Sequence, residues 1–236
     1  MVANLVASLV SFSQIEKIIV TLNIPEDISI PTDEKVLILR NSKPKGYGEN
    51  NNNAFKLNLS KLFCILNPDI VFEDNPFPSL IENMHHQNAD LIAPKIINHN
   101  HKEEDSMRFF PSPSIHLKKF LGISDGRYIS KDDIVFPDWI AGMFMLFNSD
   151  SFKKIDGFDT KYFLYYEDVD ICMRLALSKM KIVGLQKVNV IHNAQRMSRR
   201  NLRYTSWHMQ SIIRYYFKYS FKVPSKRISK IHNKNL

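Results

Sequence analysis

The sequence predicts an α/β layer fold, with helices packed over a mainly parallel central sheet, and three observations predict it. Short β-branched runs alternate with stretches of helical periodicity. Several of those runs stop at Asn, Pro, Asp or His, which sets polar groups beyond a strand's carboxyl end, where open α/β sheets take their ligands. An acidic cluster, Glu167-Asp168-Val169-Asp170, stands where an aromatic run gives way to a helical apolar stripe.

Residues 1–12 are apolar but lack a basic leading region and a clear cleavage site. Their leucines and valines fit one face of a short helix, so they read as mature structure. Lys17-Ile18-Ile19-Val20-Thr21-Leu22 reads as a buried strand closed by Asn23-Ile24-Pro25, and Lys35 to Arg40 repeats the pattern. Residues 41–54 then read as a polar loop. They hold Gly46, Gly48 and the asparagines Asn50 to Asn53, a composition that brings backbone N–H groups and side-chain amides near a polar ligand or simply makes turns.

Leu62 to Leu66 is the next short strand, and Asn67-Pro68-Asp69 ends it, because Pro68 cannot continue a central strand. Asp69 is thereby presented at a strand end, as a ligand contact or as an ordinary Asx turn. Pro78 to Met84 is helix-like and Leu91 to Ile97 strand-like. The polar, histidine-rich residues 98–105 read as a surface loop without a site, since nothing apolar frames His99 and His101. In Ile134 to Phe147 the Asp138-Trp139 pair leads into an apolar strand interrupted by Gly142, which marks a close approach to the backbone. Ser149 to Ile155 is a short helix, the Gly157 turn leads to the acidic cluster, and Lys181 to Leu185 and Val188 to Ile191 are two further strands, the latter ending at His192.

At 236 residues, 44% hydrophobic and 24% charged, the chain has the balance of an ordinary globular protein with a sizeable core. Cys64 and Cys172 sit singly in apolar runs, which predicts buried free thiols in a reducing compartment and no disulfide. No apolar run reaches the roughly 18 residues a membrane span needs. The net charge of +8 is concentrated at the C-terminus, where Asp and Glu are absent from Lys179 onward. That region lacks a nucleic-acid module. Trp207 to Lys218 mixes aromatic and basic residues as an interfacial amphipathic helix does, or as a terminal helix packed on the core with a solvated basic face does.

The acidic cluster itself has two readings. First-turn acids complement the positive end of a helix dipole, which needs no function. A carboxylate at a loop-to-helix junction walled by aromatics is also placed to take a proton from a substrate hydroxyl.

Taken in order, Gly46-Tyr47-Gly48 with the Asn cluster, Leu66-Asn67-Pro68-Asp69, Asp138-Trp139 with Ala141-Gly142, Gly157-Phe158-Asp159, the stretch from Tyr166 to Arg174, and Ile191-His192 resemble the family 2 glycosyltransferases of the GT-A fold. They are most similar to the bacterial rhamnosyltransferases of O-antigen and capsular polysaccharides. The resemblance covers residues 15–218. It implies an inverting transfer from a nucleotide-sugar donor, dTDP-L-rhamnose or alternatively a UDP-hexose, to a lipid-linked saccharide, with Mg²⁺ or Mn²⁺ as cofactor and no nucleic acid as partner. It makes Asp168 the catalytic base with Glu167 beside it, leaves Asp170 structural, and makes Asp69 and His192 metal or diphosphate contacts. Gly46, Gly48, Asn51, Asn52, Asn67, Arg196 and Arg199 fall on the donor side, and Asp138, Trp139 and Gly142 on the acceptor side. It divides the chain into a GT-A domain over 1–200 and a basic amphipathic helix and tail over 201–236, and places the protein at the cytoplasmic face of the inner membrane. Two departures stand out: the family's first strand is missing, which leaves a sheet edge exposed, and Leu22 replaces an acid at the end of the second strand. A chain so altered could also be a paralogue that binds saccharide or membrane without catalysis.

Overall fold

The computed structural model describes residues 1–113, 115, 121–123, 126–128, 130–193 and 202–219. Helix α1 (Val2–Ser11) buries Leu5, Val6 and Leu9 along one face. Strands β1 (Ile18–Leu22) and β2 (Val36–Arg40) follow as a parallel pair. Next come helix α2 (Tyr47–Phe55), β3 (Leu62–Leu66), the short β4 (Ile70–Val71), α3 (Phe77–Gln87) and β5 (Leu91–Ile97). Short strands β6 (Met107–Arg108), β7 (Ile134–Val135) and β8 (Trp139–Ile140) precede β9 (Phe144–Asn148). Helices α4 (Ser149–Lys154) and α5 (Glu167–Leu177), strand β10 (Ile182–His192) and helix α6 (Leu202–Lys218) follow among the described residues.

The main sheet has the order β3-β9-β5-β10-β4, with β7 also on β10. Strands β5 and β10 are parallel, and β9 runs antiparallel between β3 and β5, so β3, β5 and β10 all point the same way. Side chains alternate between two faces, as the pleat requires. Phe63, Leu91, Ala93, Met145 and Phe147 join the core under α2, α4, α5 and α6. Ile92, Ile96, Phe144 and Leu146 join the core under α1 and α3. The result is the three-layer α/β architecture expected.

Two strands expected near the C-terminus are one. β10 runs through Leu185 to Asn189 with a shift of register, where its neighbour places Pro94. Proline has no N–H for the ladder, so the bulge falls there. The β1–β2 pair forms no ladder with the main sheet. Among the described residues β1 pairs only with β2 and β3 only with β9, so each presents an edge.

Helix α6 lies on the main body. Tyr215 is buried in the core against Tyr166, Ser211 Oγ donates to Leu164 O, and Lys218 reaches Asp159 and Asp170.

Candidate active site

Because β3, β5 and β10 run together, their carboxyl ends share one rim of the sheet, and the start of the antiparallel β9 lies on the same rim. The rim collects the acids. Asp69 follows β3, His192 ends β10, and the turn before β9 carries Gly142. The Asn67 N–H donates to Met143 O, which ties the Asp69 turn to the residue beside Gly142. This is the position at which open α/β sheets bind ligands.

Asp168 lies at the start of α5. Its Oδ1 accepts the Val169 N–H at 2.8 Å and its Oδ2 the Gly142 N–H at 3.1 Å. Gly142 lies in a tight spot: a Cβ there would stand 3.2 Å from the Tyr47 hydroxyl, which donates to Gly142 O. Burial pushes the Asp168 carboxyl above its ordinary range, against the pull of these two N–H donors and of the Arg108 charge. Both readings of the acidic cluster thus hold at one residue. One oxygen of Asp168 complements a helix terminus and the other is aimed by a neighbouring loop.

The backbone before α5 is strained. Tyr165 and Tyr166 both adopt left-handed conformations, with φ of 71° and 65°, each at a cost of roughly 1–3 kcal/mol for a non-glycine residue. Packing holds them, with the Tyr166 ring against Tyr215. Glu167 beside them is buried, its Oε2 has no hydrogen-bond partner among the described residues, and burial followed by the charge of Asp168 pushes it up to about 8. Asp170 is structural, as expected. Fully buried, it receives Arg174 Nε, Lys218 Nζ and the Tyr219 hydroxyl at 2.7–2.9 Å, which fastens α6 to α5.

The second cluster centres on His192. Its Nε2 lies 3.2 Å from Asp69 Oδ2 and its Nδ1 2.7 Å from Glu104 Oε2. Burial lowers the imidazole pKa, but the two carboxylates raise it more, and the net direction is up. Asp69 Oδ1 is buried and has no hydrogen-bond partner among the described residues. A carboxylate oxygen left unsatisfied beside an imidazole suits a hard divalent cation. Among the described residues no three His, Cys, Asp or Glu side chains are grouped to hold a metal ion. Asp69 and His192 would therefore supply two ligands and leave the others to a diphosphate and water.

Several expectations are corrected. Residues 47–55 are helix α2, not loop. A Cβ on Gly48 would stand 2.6 Å from Phe158 Cβ, and one on Gly46 2.8 Å from Phe163 O. The Asn52 amide is engaged at both ends by the Phe158 backbone, and Asn51 Nδ2 donates to Tyr47 O. Gly46, Gly48 and Asn52 thus pack α2 against the segment before α5, and Asn51 bonds within α2 itself. Asp138 is buried, its Oδ2 accepts the Phe110 N–H at 2.9 Å, and burial pushes it up to about 6. Trp139 Nε1 donates to Phe109 O, with the Arg108 guanidinium 5.8 Å over its ring. Both polar groups are turned to the 108–110 backbone. Arg196 and Arg199 lie outside the described residues. Glu104 comes from the stretch read as a loop without a site.

Comparison with known proteins agrees with this geometry. Residues 20–124 match the glycosyl transferase family 2 model, and residues 134–216 match that of the N-terminal domain of galactosyltransferase. Rhamnosyltransferase WbbL of Escherichia coli K12 is 30% identical over 184 residues, which cover 72% of this chain and 69% of that protein. The low-salt glycan biosynthesis hexosyltransferase Agl10 of Haloferax volcanii is 25% identical over 152 residues, 63% of this chain and 48% of its own. Among solved structures, GalNAc-T7 with UDP, GalNAc and Mn²⁺ superposes with a TM-score of 0.61 at 12% identity, over 86% of this chain and 42% of that one. The mannosyltransferase PcManGT of Pyrobaculum calidifontis with GDP-Man and Mn²⁺ gives 0.53 at 9%, over 85% and 51%. Three layers, acids gathered on the carboxyl rim and a shared sequence across most of the chain identify it as a member of the family 2 glycosyltransferases, an enzyme of the GT-A fold close to the rhamnosyltransferases.

Proposed function

We propose that this glycosyltransferase moves L-rhamnose from dTDP-L-rhamnose to a lipid-linked saccharide, with inversion at the anomeric carbon and Asp168 as base. The observation that carries the chemistry is the aimed carboxylate: Gly142 N–H on one oxygen, Val169 N–H on the other, in a buried site that raises its basicity. Direct displacement needs such a group within hydrogen-bond reach of the acceptor hydroxyl, opposite the leaving group. Glu167, held neutral near pH 7, adds no second negative charge beside the base. Asp69 and His192 would hold Mg²⁺ or Mn²⁺, which supplies neutralising charge for the departing diphosphate. The sugar is supported by WbbL, and by a 34% match over 55 residues to the N-acetylglucosaminyl-diphospho-decaprenol L-rhamnosyltransferase of Mycobacterium tuberculosis, 23% of this chain and 18% of that protein.

The galactosyltransferase match over residues 134–216 favours a second reading, a UDP-hexose donor on the same site. A donor panel with Mg²⁺, a polyprenyl-diphosphate saccharide and mass analysis of the product separates them. A deoxyhexose increment from dTDP-rhamnose is the expected result, a hexose increment selects the second reading, and no transfer from any donor overturns both.

The site works at the cytoplasmic face of the inner membrane, with α6 against the lipid. Leu202, Met209, Ile213 and Phe217 are exposed along one side of α6, while Ser211 and Tyr215 are buried on the other. Fourteen Lys and Arg and no Asp or Glu fall in residues 179–236, and apart from Lys218, which Asp159 and Asp170 engage, that charge suits anionic headgroups. Among the described residues no helix is long and apolar enough to cross a membrane. Ile213→Glu should abolish cosedimentation with anionic vesicles, and salt should weaken it in the native chain. Unchanged cosedimentation of that variant would remove α6 from the contact.

A further inference from the structure

We propose that Glu104 is a positioning residue for His192: it accepts the Nδ1 proton and so turns the other nitrogen, Nε2, toward Asp69 and the cation held there. The inference rests on the assignment of Asp69 and His192 to the cation.

Three neighbouring strands bring the residues together. Strand β10 ends between β4 and β5, with His192 opposite Ile70 and Ile191 opposite Ile97. On the β4 side, the Asn193 N–H donates to Asp69 O, which fixes Asp69 next to the ring. On the β5 side the chain reverses at once. Ile97 bridges Glu103, and the Glu104 N–H donates to Ile96 O at 2.8 Å. The reversal is closed internally, since Asn98 Oδ1 accepts the N–H groups of Asn100 and Lys102. Glu104 is therefore set by backbone pairing, not by a loose loop, and its side chain is 15% exposed.

A neutral imidazole can carry its proton on either nitrogen, and only the bare one can bind a metal. A carboxylate 2.7 Å from Nδ1 selects the tautomer with the proton there and also holds the ring plane. A hydrogen bond made only for stability would need neither an Asp69 Oδ1 that is unpartnered among the described residues, on the carboxylate that faces Nε2, nor the placement at the carboxyl rim. Both are accounted for if the imidazole is being aimed.

The test uses the full chain with Mn²⁺ and dTDP, and reads bound Mn²⁺ by electron paramagnetic resonance without any transfer reaction. Glu104→Ala should weaken Mn²⁺ binding roughly 10- to 100-fold, the range for residues that orient a ligand. Glu104→Gln, whose amide oxygen still accepts from Nδ1, should retain most of the affinity. In ¹⁵N-histidine spectra His192 should show one tautomer in the native chain and a mixture in Glu104→Ala. Transfer by Glu104→Ala should recover at saturating Mn²⁺. Glu104→Ala binding within twofold of the native chain, while Asp69→Asn binds Mn²⁺ weakly, would overturn the role of Glu104 alone. If Asp69→Asn also binds as the native chain does, the assignment of the cation to this cluster falls with it.

Discussion

The carboxyl rim of the main sheet and the β1–β2 ribbon are held by different means. On the rim, ladder partners stand beside Asp69 near β4, His192 on β10, Glu104 after β5 and Gly142 before β9, and Asp168 at the start of α5 is tied to that rim by the Gly142 N–H. The ribbon shares no ladder with that sheet. Asn41 donates to Asn23 and Asn50, Asn23 also meets the Lys45 backbone, and Ile18 packs with Leu5, Val6 and Leu9 of α1. Side-chain amides and one apolar face yield more easily than a ladder does, so opening should begin in the ribbon. The lesson is that the chemistry sits on the stiff half of the molecule, while the ribbon can shift without moving the base.

The largest effect tests the stiff half. Asp168→Asn keeps the shape of the side chain and one of its two N–H contacts but loses the proton acceptor, so turnover of the folded variant should fall roughly 10²- to 10⁴-fold. Next comes the ribbon. Leu9→Ala should cost about 2–4 kcal/mol and speed amide exchange in β1 and β2 well before β5 or β10. Equal acceleration in both regions would erase the distinction drawn between them. The smallest effect concerns Glu167. Its folded pKa is raised, so the folded state binds its proton more tightly than the unfolded chain, and stability declines as pH rises from the ordinary carboxylate value toward about 8. Glu167→Gln should remove that decline and be more stable than the native chain near pH 8. Parallel melting curves for the two proteins from pH 5 to 9 would contradict it.

The same division governs what could be read from the sequence. The expected strands Leu62 to Leu66 and Leu91 to Ile97 agree with β3 and β5 to the residue, because apolar runs bounded by turn residues carry a local signal. The places of Asp69, Asp168 and His192 at strand and helix ends were legible in the chain itself, whereas the roles expected of them came from the family resemblance. Helix α2 was not. Its glycines and asparagines are poor helix formers, and what makes them helical is tertiary: Phe158 against Gly48 and the Asn52 amide on the Phe158 backbone. Glu104 was invisible for a related reason. Nothing in 98–105 marks it, and only the hairpin after β5 carries it to a histidine 88 positions away. Asp138 and Trp139 stand where expected in sequence, but their polar groups were needed by the neighbouring 108–110 segment.

The most direct test of Asp168 as base is the pH dependence of kcat with saturating donor, acceptor and divalent cation. Burial raises the Asp168 pKa, so the ionised, active form is lost as pH falls through that raised value. The account predicts a single-proton acid limb with its midpoint above the ordinary Asp range of about 3.9, absent from the residual activity of Asp168→Asn. A native rate that stays flat from neutral pH down through that range, or an Asp168→Asn variant with the same limb, would contradict it.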